Sequence, residues 1–498
     1  MSYKHGIYGI AEVTNNATEI VQGTIPAYIG SAPVHRVNTN GNSGFDYSGY
    51  LNKPILISSL REAKEMGLYS DDWSTYTLCE AIHAHFMNGA QAVAPIVLLN
   101  VLNPQSDIED KAGTATVTMK KVGTGFVGYI NDPLCCLENI ALTVSDTAGV
   151  SAHIATYRYD GDKVVVEADV TFSSGKENTT AFTATATYAK IAFDSEKFTA
   201  TAIEAALAGL DYCEQIVGVV PNVVAAPGIS EIPELHSLIV QKAMDKISGK
   251  WHFVCLSDIP ATAKTYDAAI AWKNENAYES KYDKVFWPEV AYGDKVYHLS
   301  TVGAYMMQYI DMQNGGVPYA STSNKDLFCD RVVVGDNETL LVSESKANEA
   351  NKVGITTVNL IKRSLRLWGA HMANYSHASI NNIAAEERFD SSVRMMMYIL
   401  NYLQQQHIDE IDQSFTRKDI DNIVNSAQNW LDSLVNDSML LYASISFNNE
   451  SNSDADIANG DFVFDLEVTY TVTAKSITMK LQYTPSGLSV LSTDGGDE

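Results

Sequence analysis

The chain has 498 residues, which at roughly 150 residues per domain corresponds to about three domains. Lys and Arg number 34 against 60 Asp and Glu, a formal charge of -26, and a field of that sign repels a phosphate backbone, which excludes nucleic acid as the main partner. Hydrophobic residues at 46% and charged residues at 19% exclude a disordered acidic chain, which would lack this apolar content.

The opening stretch MSYKHGIYGIAEVT has no basic region leading into an apolar run and no small-residue cleavage site, so no signal peptide is read there. No later run approaches the ~18 apolar residues of a membrane helix. A soluble protein made in the cytoplasm is expected. The cysteines Cys79, Cys135, Cys136, Cys213, Cys255 and Cys329 form no CxxC pair, and buried reduced thiols are expected.

Residues 1–24 form an arm: a short strand-like piece over 3–10, then a polar run, with no apolar face large enough to anchor it alone. From Ile25 the runs IPAYIGSAP and PILISSL read as buried strands. A helix follows over 76–88, and AVAPIVLLNV returns to a buried strand. This strand, helix, strand order over 25–104 is the unit of an α/β layer. Between 105 and 205 the composition turns to Thr, Ala and Val in alternating runs, which predicts an inserted all-β, sandwich-like module. The α/β texture resumes over 206–349, with strands IVGVVPNVVAAPG, WHFVCLSDIP and KVFWPEVAY and helices near 235–247 and 302–313.

From 350 the spacing predicts helices, with Val358, Ile361, Leu365 and Trp368 in one register and Ile420, Ile423, Ala427, Trp430 and Leu434 in another. Thr416 and Asp419 form a capping box for the latter. The segment 350–460 reads as a helical C-terminal domain. Near the end, Leu441, Ala443, Ile445 and Phe447 alternate. So do Phe462, Phe464, Leu466, Val468, Tyr470 and Val472, and then Ile477, Met479, Leu481 and Tyr483. Residues 461–498 therefore carry long terminal strands, which leave unpaired backbone groups unless another strand covers them. The expected class is a multidomain α/β (α+β) fold: a mixed α/β body, an inserted all-β module, and a helical plus β C-terminal part with extended arms.

Motifs for chemistry are few. Gly123-Thr-Gly125-Phe-Val-Gly128 matches GxGxxG, but the following Tyr129-Ile-Asn-Asp-Pro133 cannot open the helix that would hold a pyrophosphate, so a Gly-rich β-turn is expected. His83 and His85 lie two apart on a helix and point to different faces, and His85 reads as a core-edge residue rather than a metal ligand. A disulfide between Cys135 and Cys136 would be strained. Met395, Met396 and Met397 read as core filler, with an adaptable surface as the other use of such residues. No GxSxG, HExxH, P-loop or EF-hand pattern occurs, so no catalytic, cofactor or metal residue is assigned and no enzyme activity is expected.

One charge feature stands out. Over 352–418 the basic residues, among them Lys352, Lys362, Arg363, Arg366, Arg388, Arg394, Arg417 and Lys418, outnumber the acids in an otherwise acidic chain. Solvated helix faces give such a pattern, and so does a contact surface for a negatively charged partner.

With these residues in view, the sequence resembles the tail sheath proteins of contractile injection systems, which include contractile phage tails and tailocins. The likeness rests on Tyr3-Lys-His-Gly-Ile-Tyr8, Ile25-Pro-Ala-Tyr-Ile-Gly-Ser-Ala-Pro33, Pro54-Ile-Leu-Ile57, Asn88-Gly89, Leu367-Trp-Gly-Ala370, the charged stretch 411–423 and Asn459-Gly-Asp-Phe-Val-Phe-Asp465. The family often has Trp-Gly-x-Arg-Thr where this chain has Trp368-Gly-Ala-His-Met372, so no role is carried over from that Arg. The resemblance implies a structural subunit that polymerises as a helical stack of six-fold rings around an inner tail tube and contracts to drive the tube through an envelope. It implies baseplate and tail terminator proteins as further partners, and no membrane insertion. Its place would be a phage or tailocin particle, after synthesis in the host bacterial cytoplasm.

The resemblance also implies inter-subunit arm strands at Tyr3, Gly6, Ile7, Tyr8 and Ile10 and at Ile477, Met479, Leu481 and Tyr483. The receiving sheet would lie at Phe462, Phe464, Leu466, Val468 and Tyr470. The tube would be faced by Lys362, Arg363, Arg366, Arg388, Arg394, Arg417 and Lys418. Against it stand an acidic surface or carbohydrate-binding protein displaying the Thr-rich insert, and a hydrolase whose residues are scattered along the chain.

Overall fold

A computed structural model describes residues 23–42, 44–144 and 149–491, so Tyr3, Gly6, Ile7, Tyr8 and Ile10 lie outside the described residues. The body opens with β1 (Pro26–Gly30), β2 (Pro54–Ile57), α1 (Leu60–Glu65), α2 (Leu78–Phe86) and β3 (Ile96–Asn100). After α3 (Pro104–Asp107) come β4 (Ile108–Val122), β5 (Gly125–Ile130), β6 (Ala141–Val144), β7 (Val150–Asp160), β8 (Lys163–Phe172) and β9 (Ala181–Ile191). The chain returns through α4 (Ala200–Gly209), α5 (Cys213–Val217), β10 (Val223–Ala225), α6 (Pro233–Asp245), β11 (Val254–Asp258), α7 (Tyr266–Glu275) and β12 (Asp283–Phe286). Then follow β13 (Glu289–Tyr292), β14 (Lys295–Tyr297), α8 (Leu299–Gln313), β15 (Arg331–Val334), β16 (Glu338–Thr339), α9 (Glu344–Asn351), β17 (Ile355–Ile361) and β18 (Ser364–Trp368). The chain ends with α10 (Asp390–Gln406), α11 (Arg417–Asn436), β19 (Leu440–Ser446), α12 (Asp454–Asn459) and β20 (Asp465–Tyr470).

Eight strands build the body sheet in the order β18-β17-β12-β11-β10-β1-β3-β2. The six central strands are parallel, and the antiparallel β2 and β18 close the edges. All five residues of β1 are buried, because a parallel strand covered on both faces needs a continuous apolar run. Tyr28 of β1 points its hydroxyl at His85 of α2, 2.7 Å away, while Cys255 of β11 reaches the Ile239 carbonyl of α6 at 3.5 Å. His85 is thus a core residue. His83 meets the Tyr297 hydroxyl at 2.7 Å, and all six cysteines are free and buried.

Strands β4 to β9 form one six-stranded antiparallel sheet, order β6-β9-β4-β5-β8-β7, which curls until β6 and β7 approach each other. The expected all-β module is present, but its core of Val117, Met119, Phe126, Val166, Phe182 and Ala186 lies within one curled sheet and not between the two sheets of a sandwich. Gly123, at φ +61, and Thr124 make the tight turn between β4 and β5, so the GxGxxG match is a hairpin.

The helical register expected at Val358, Ile361, Leu365 and Trp368 is corrected: these residues lie on the β17–β18 hairpin, with Val358 opposite Leu367 and Leu360 opposite Leu365. Cross-strand partners in a tight hairpin fall at spacings that also fit a helix face, and the β-branched run Ile355-Thr-Thr-Val358 decides for the strand.

Candidate assembly interface

The C-terminal part is built on α11. Its capping box is formed: the Thr416 N–H donates to the Asp419 carboxylate at 2.8 Å. Ile420, Ile423, Ala427, Leu431 and Leu434 make the buried stripe. That stripe packs on the sheet of β19 and β20, in which Ala443 pairs with Val468 and Ile445 with Leu466. A bulge between Leu440 and Tyr442 shifts the alternation, so Leu440 is buried while Leu441, expected to face inwards, is 58% exposed. Of the receiving residues, Leu466, Val468 and Tyr470 stand half-buried on β20. Phe462 and Phe464 precede it, ringed by Phe415 and Phe447. Among the described residues the sheet has two strands, so each has an outer edge with no neighbouring strand there.

Beyond β20 the chain touches α10 and the segment leading into it: Thr473 meets Ser391 hydroxyl to hydroxyl at 3.2 Å, and Lys475 Nζ donates to the Tyr375 hydroxyl at 3.1 Å. It then leaves the protein. Ile477, Met479, Leu481 and Tyr483 are 78%, 91%, 100% and 78% exposed, and no strand pairing is formed there among the described residues. The strand expected at these residues has the alternation but no partner strand among the described residues.

The basic residues differ in exposure and in what they contact. Arg394 is buried and ion-pairs with Asp311 of α8, while its Nη2 also donates to Thr24 at 2.9 Å. Arg388 donates to the carbonyls of Ile380 and Ile383, Arg366 pairs with Asp326 at 2.8 Å, and Arg417 pairs with Asp421 at 3.0 Å. Lys362 and Arg363 form the exposed tip of the β17–β18 hairpin and Lys418 the start of α11, with no ion pair seen among the described residues.

Two buried pairs that charge counting missed fasten α10 to the body: Arg394 with Asp311, and Lys284 with Asp390 at 2.9 Å. Burial raises Asp311 and lowers Lys284 from their ordinary values, each opposed by its partner's charge. Only the fold, by placing β12 and α8 beside α10, makes these partners visible. Among the described residues no group of three or more His, Cys, Asp or Glu is arranged to hold a metal ion, and no helix is long and apolar enough to cross a membrane.

No protein-family model and no curated protein sequence matches the chain. Solved structures do. A chain of the anti-feeding prophage (AFP) baseplate, seen by cryo-EM, superposes with a TM-score of 0.53 at 13% identity, covering 97% of this chain and 100% of that one. The sheath complex of an extracellular contractile injection system, PVC, in its contracted state gives 0.54 at 12% identity, over 97% and 98%. The AFP helical sheath in its contracted state gives 0.55 at 11% identity, over 97% and 100%. The likeness is one of fold, and it runs from end to end: the chain has the mixed α/β architecture of these contractile-system chains.

Proposed function

We propose that the chain is the structural subunit of a contractile sheath, which polymerises helically around an inner tube and contracts to drive that tube through a target envelope. One observation carries the reading: the chain has both an extended tail with alternating, exposed Ile477, Met479, Leu481 and Tyr483 and, just before it in sequence, a two-stranded sheet whose outer edges have no neighbouring strand among the described residues. Adding the tail to the sheet of a second copy satisfies main-chain groups on both, and burying each apolar side chain contributes roughly 1.5–3 kcal/mol. Head-to-tail addition that does not close gives an open helix. The end-to-end likeness to contracted-state sheaths supports the same reading.

In this assembly residues 25–104 and 206–349 form the body together with β17 and β18, which complete its sheet, the insert of 105–205 faces outwards, and the rest of 350–460, with the tip of the β17–β18 hairpin, lies towards the tube. The hairpin tip Lys362–Arg363 and Lys418, with Arg366, Arg388 and Arg417 nearby in sequence, supply the tube-facing charge. Arg394 is no longer among them. Contraction is a switch between two packings: bodies rotate and slide, the arms of residues 1–24 and 461–498 keep subunits connected, and the extended lattice is kinetically trapped. No nucleotide hydrolysis is required. Partners are further copies in six-fold rings, the tube protein, and baseplate and terminator proteins of a phage or tailocin tail.

Electron microscopy of the expressed full chain tests this. Deleting residues 476–484, or residues 1–12, is expected to leave subunits with unchanged circular dichroism that form no tubes. Normal tubes from both deletions would overturn the arm model.

A further inference from the structure

The two edges of the β19/β20 sheet are chemically different. In an antiparallel pair a residue sends its N–H and C=O to the same side, alternating along the strand, so Ala443 and Ile445 present their groups to one edge of β19. A single side chain takes them both. Gln428 of α11 donates from Nε2 to the Ala443 carbonyl at 3.2 Å and accepts at Oε1 from the Ile445 N–H at 3.0 Å. Nε2 also donates to Asp432 Oδ1 at 2.7 Å, one turn further along α11, which fixes the orientation of the amide. A primary amide held in this way offers the donor and acceptor that the peptide group of an adjoining strand would offer.

The apolar faces differ in the same sense. Under β19, Leu440, Ala443 and Ile445 are 1%, 6% and 8% exposed. On β20, Leu466, Val468 and Tyr470 are only half-buried, so the face there is unfinished. A strand arriving at β19 would have to displace two hydrogen bonds and would meet a face already covered. At β20, whose outer edge pairs with no strand among the described residues, it would find open backbone and complete the burial of three side chains.

We infer that Gln428 is a strand-edge cap: it closes β19 and leaves β20 as the edge that receives residues 476–484 of a second copy. The inference rests on the sheath reading above. It sets the register of sides: Ile477, Met479, Leu481 and Tyr483 continue the core face, and Thr478, Lys480 and Gln482 face outwards.

Because all six native cysteines are buried, introduced thiols on the surface react selectively. In tubes of the full chain, K480C is combined with T469C on the outer face of β20 or with S444C on the outer face of β19, and a short thiol cross-linker is applied. With Gln428 intact, K480C to T469C links between subunits are expected to exceed K480C to S444C links about tenfold. In a Q428L background, links to S444C are expected to rise about fivefold or more as the second edge opens. Links to S444C that equal or exceed those to T469C with Gln428 present overturn the inference, as does a Q428L chain without the rise. The first ratio needs no change at Gln428, so it stands even if Q428L fails to fold. Tubes linked through β19 sink this inference alone, whereas a full chain that never forms tubes refutes the sheath reading itself.

Discussion

His298, at the start of α8, sits among carboxylates contributed by different segments: Nδ1 lies 2.8 Å from Glu80, and Nε2 lies 3.1 Å from Glu231 and 3.9 Å from Glu289. The ring is held well above the ordinary histidine value: burial lowers it, and the charges and hydrogen bonds of Glu80 and Glu231 outweigh that. Glu289 goes the other way for a carboxylate. Burial pushes it up to about 7 against the pull of His298. Raised values of both kinds mean that the native state binds protons more tightly than the unfolded chain. The Glu289 contribution is therefore full below about 4.5 and is lost as pH rises through about 7. Glu289→Gln removes that ionisation, and it is expected to raise the thermal midpoint at pH 8, by about 1–3 kcal/mol in stability, with little change at pH 4.5. Melting curves at the two pH values check it, and an equal effect at both would contradict the assignment. A second residue-level test concerns Arg394. Arg394→Ala leaves the Asp311 carboxylate buried without its partner, and a loss of about 3–5 kcal/mol is expected, smaller in the R394A/D311A double variant.

At the scale of elements, what could be read from the sequence depended on whether a pattern was local. The stripe and capping box of α11 are local, so Ile420, Ile423, Ala427 and Leu434 were legible, whereas Trp430, expected in the stripe, is half-buried against Tyr402 and Leu431 takes the buried place. The bulge at the start of β19 and the pairing of β17 with β18 are not, because each depends on the strand opposite. Charge counting likewise grouped Arg394 with exposed residues, since nothing adjacent in sequence announces Asp311, and Gln428 carries no motif at all. The β17–β18 turn offers a test that separates stability from function. Lys362 and Arg363 sit at φ +51 and +70, the left-handed region that a two-residue hairpin turn requires and that Asn-Gly satisfies with less strain. K362N/R363G is expected to stabilise the hairpin by about 0.5–1 kcal/mol. It is also expected to weaken assembly on the tube, because it removes the basic tip. Unfolding midpoints and tube-bound fractions, measured on the same variant, check the two effects. Unimpaired assembly would leave the tip without a tube-facing role.

For the molecule as a whole, the insert is attached in a way that allows it to be removed. Its two ends are neighbours: the Ala192 N–H donates to the Asp107 carbonyl at 2.7 Å, so a few residues of linker can replace everything between them. The insert owns a separate core, but it also rests on the body. Arg36, 4% exposed, pairs with Asp162 at 2.9 Å and donates to the Pro133 carbonyl at 2.8 Å, and Cys136, Ala189 and Ile191 join the core of the body. Excision at residues 108–191 therefore uncovers apolar surface and strands Arg36, whose charge then returns to solvent rather than remaining buried, which limits the cost. None of the tail, β19, β20 or Gln428 belongs to the removed segment. The shortened chain is expected to fold with a lowered melting midpoint and still to form tubes, with thinner walls in cryo-EM because the outward-facing module is gone. Tubes of unchanged outer diameter would place the insert elsewhere in the lattice, and a folded chain that no longer polymerises would make it part of the subunit contact.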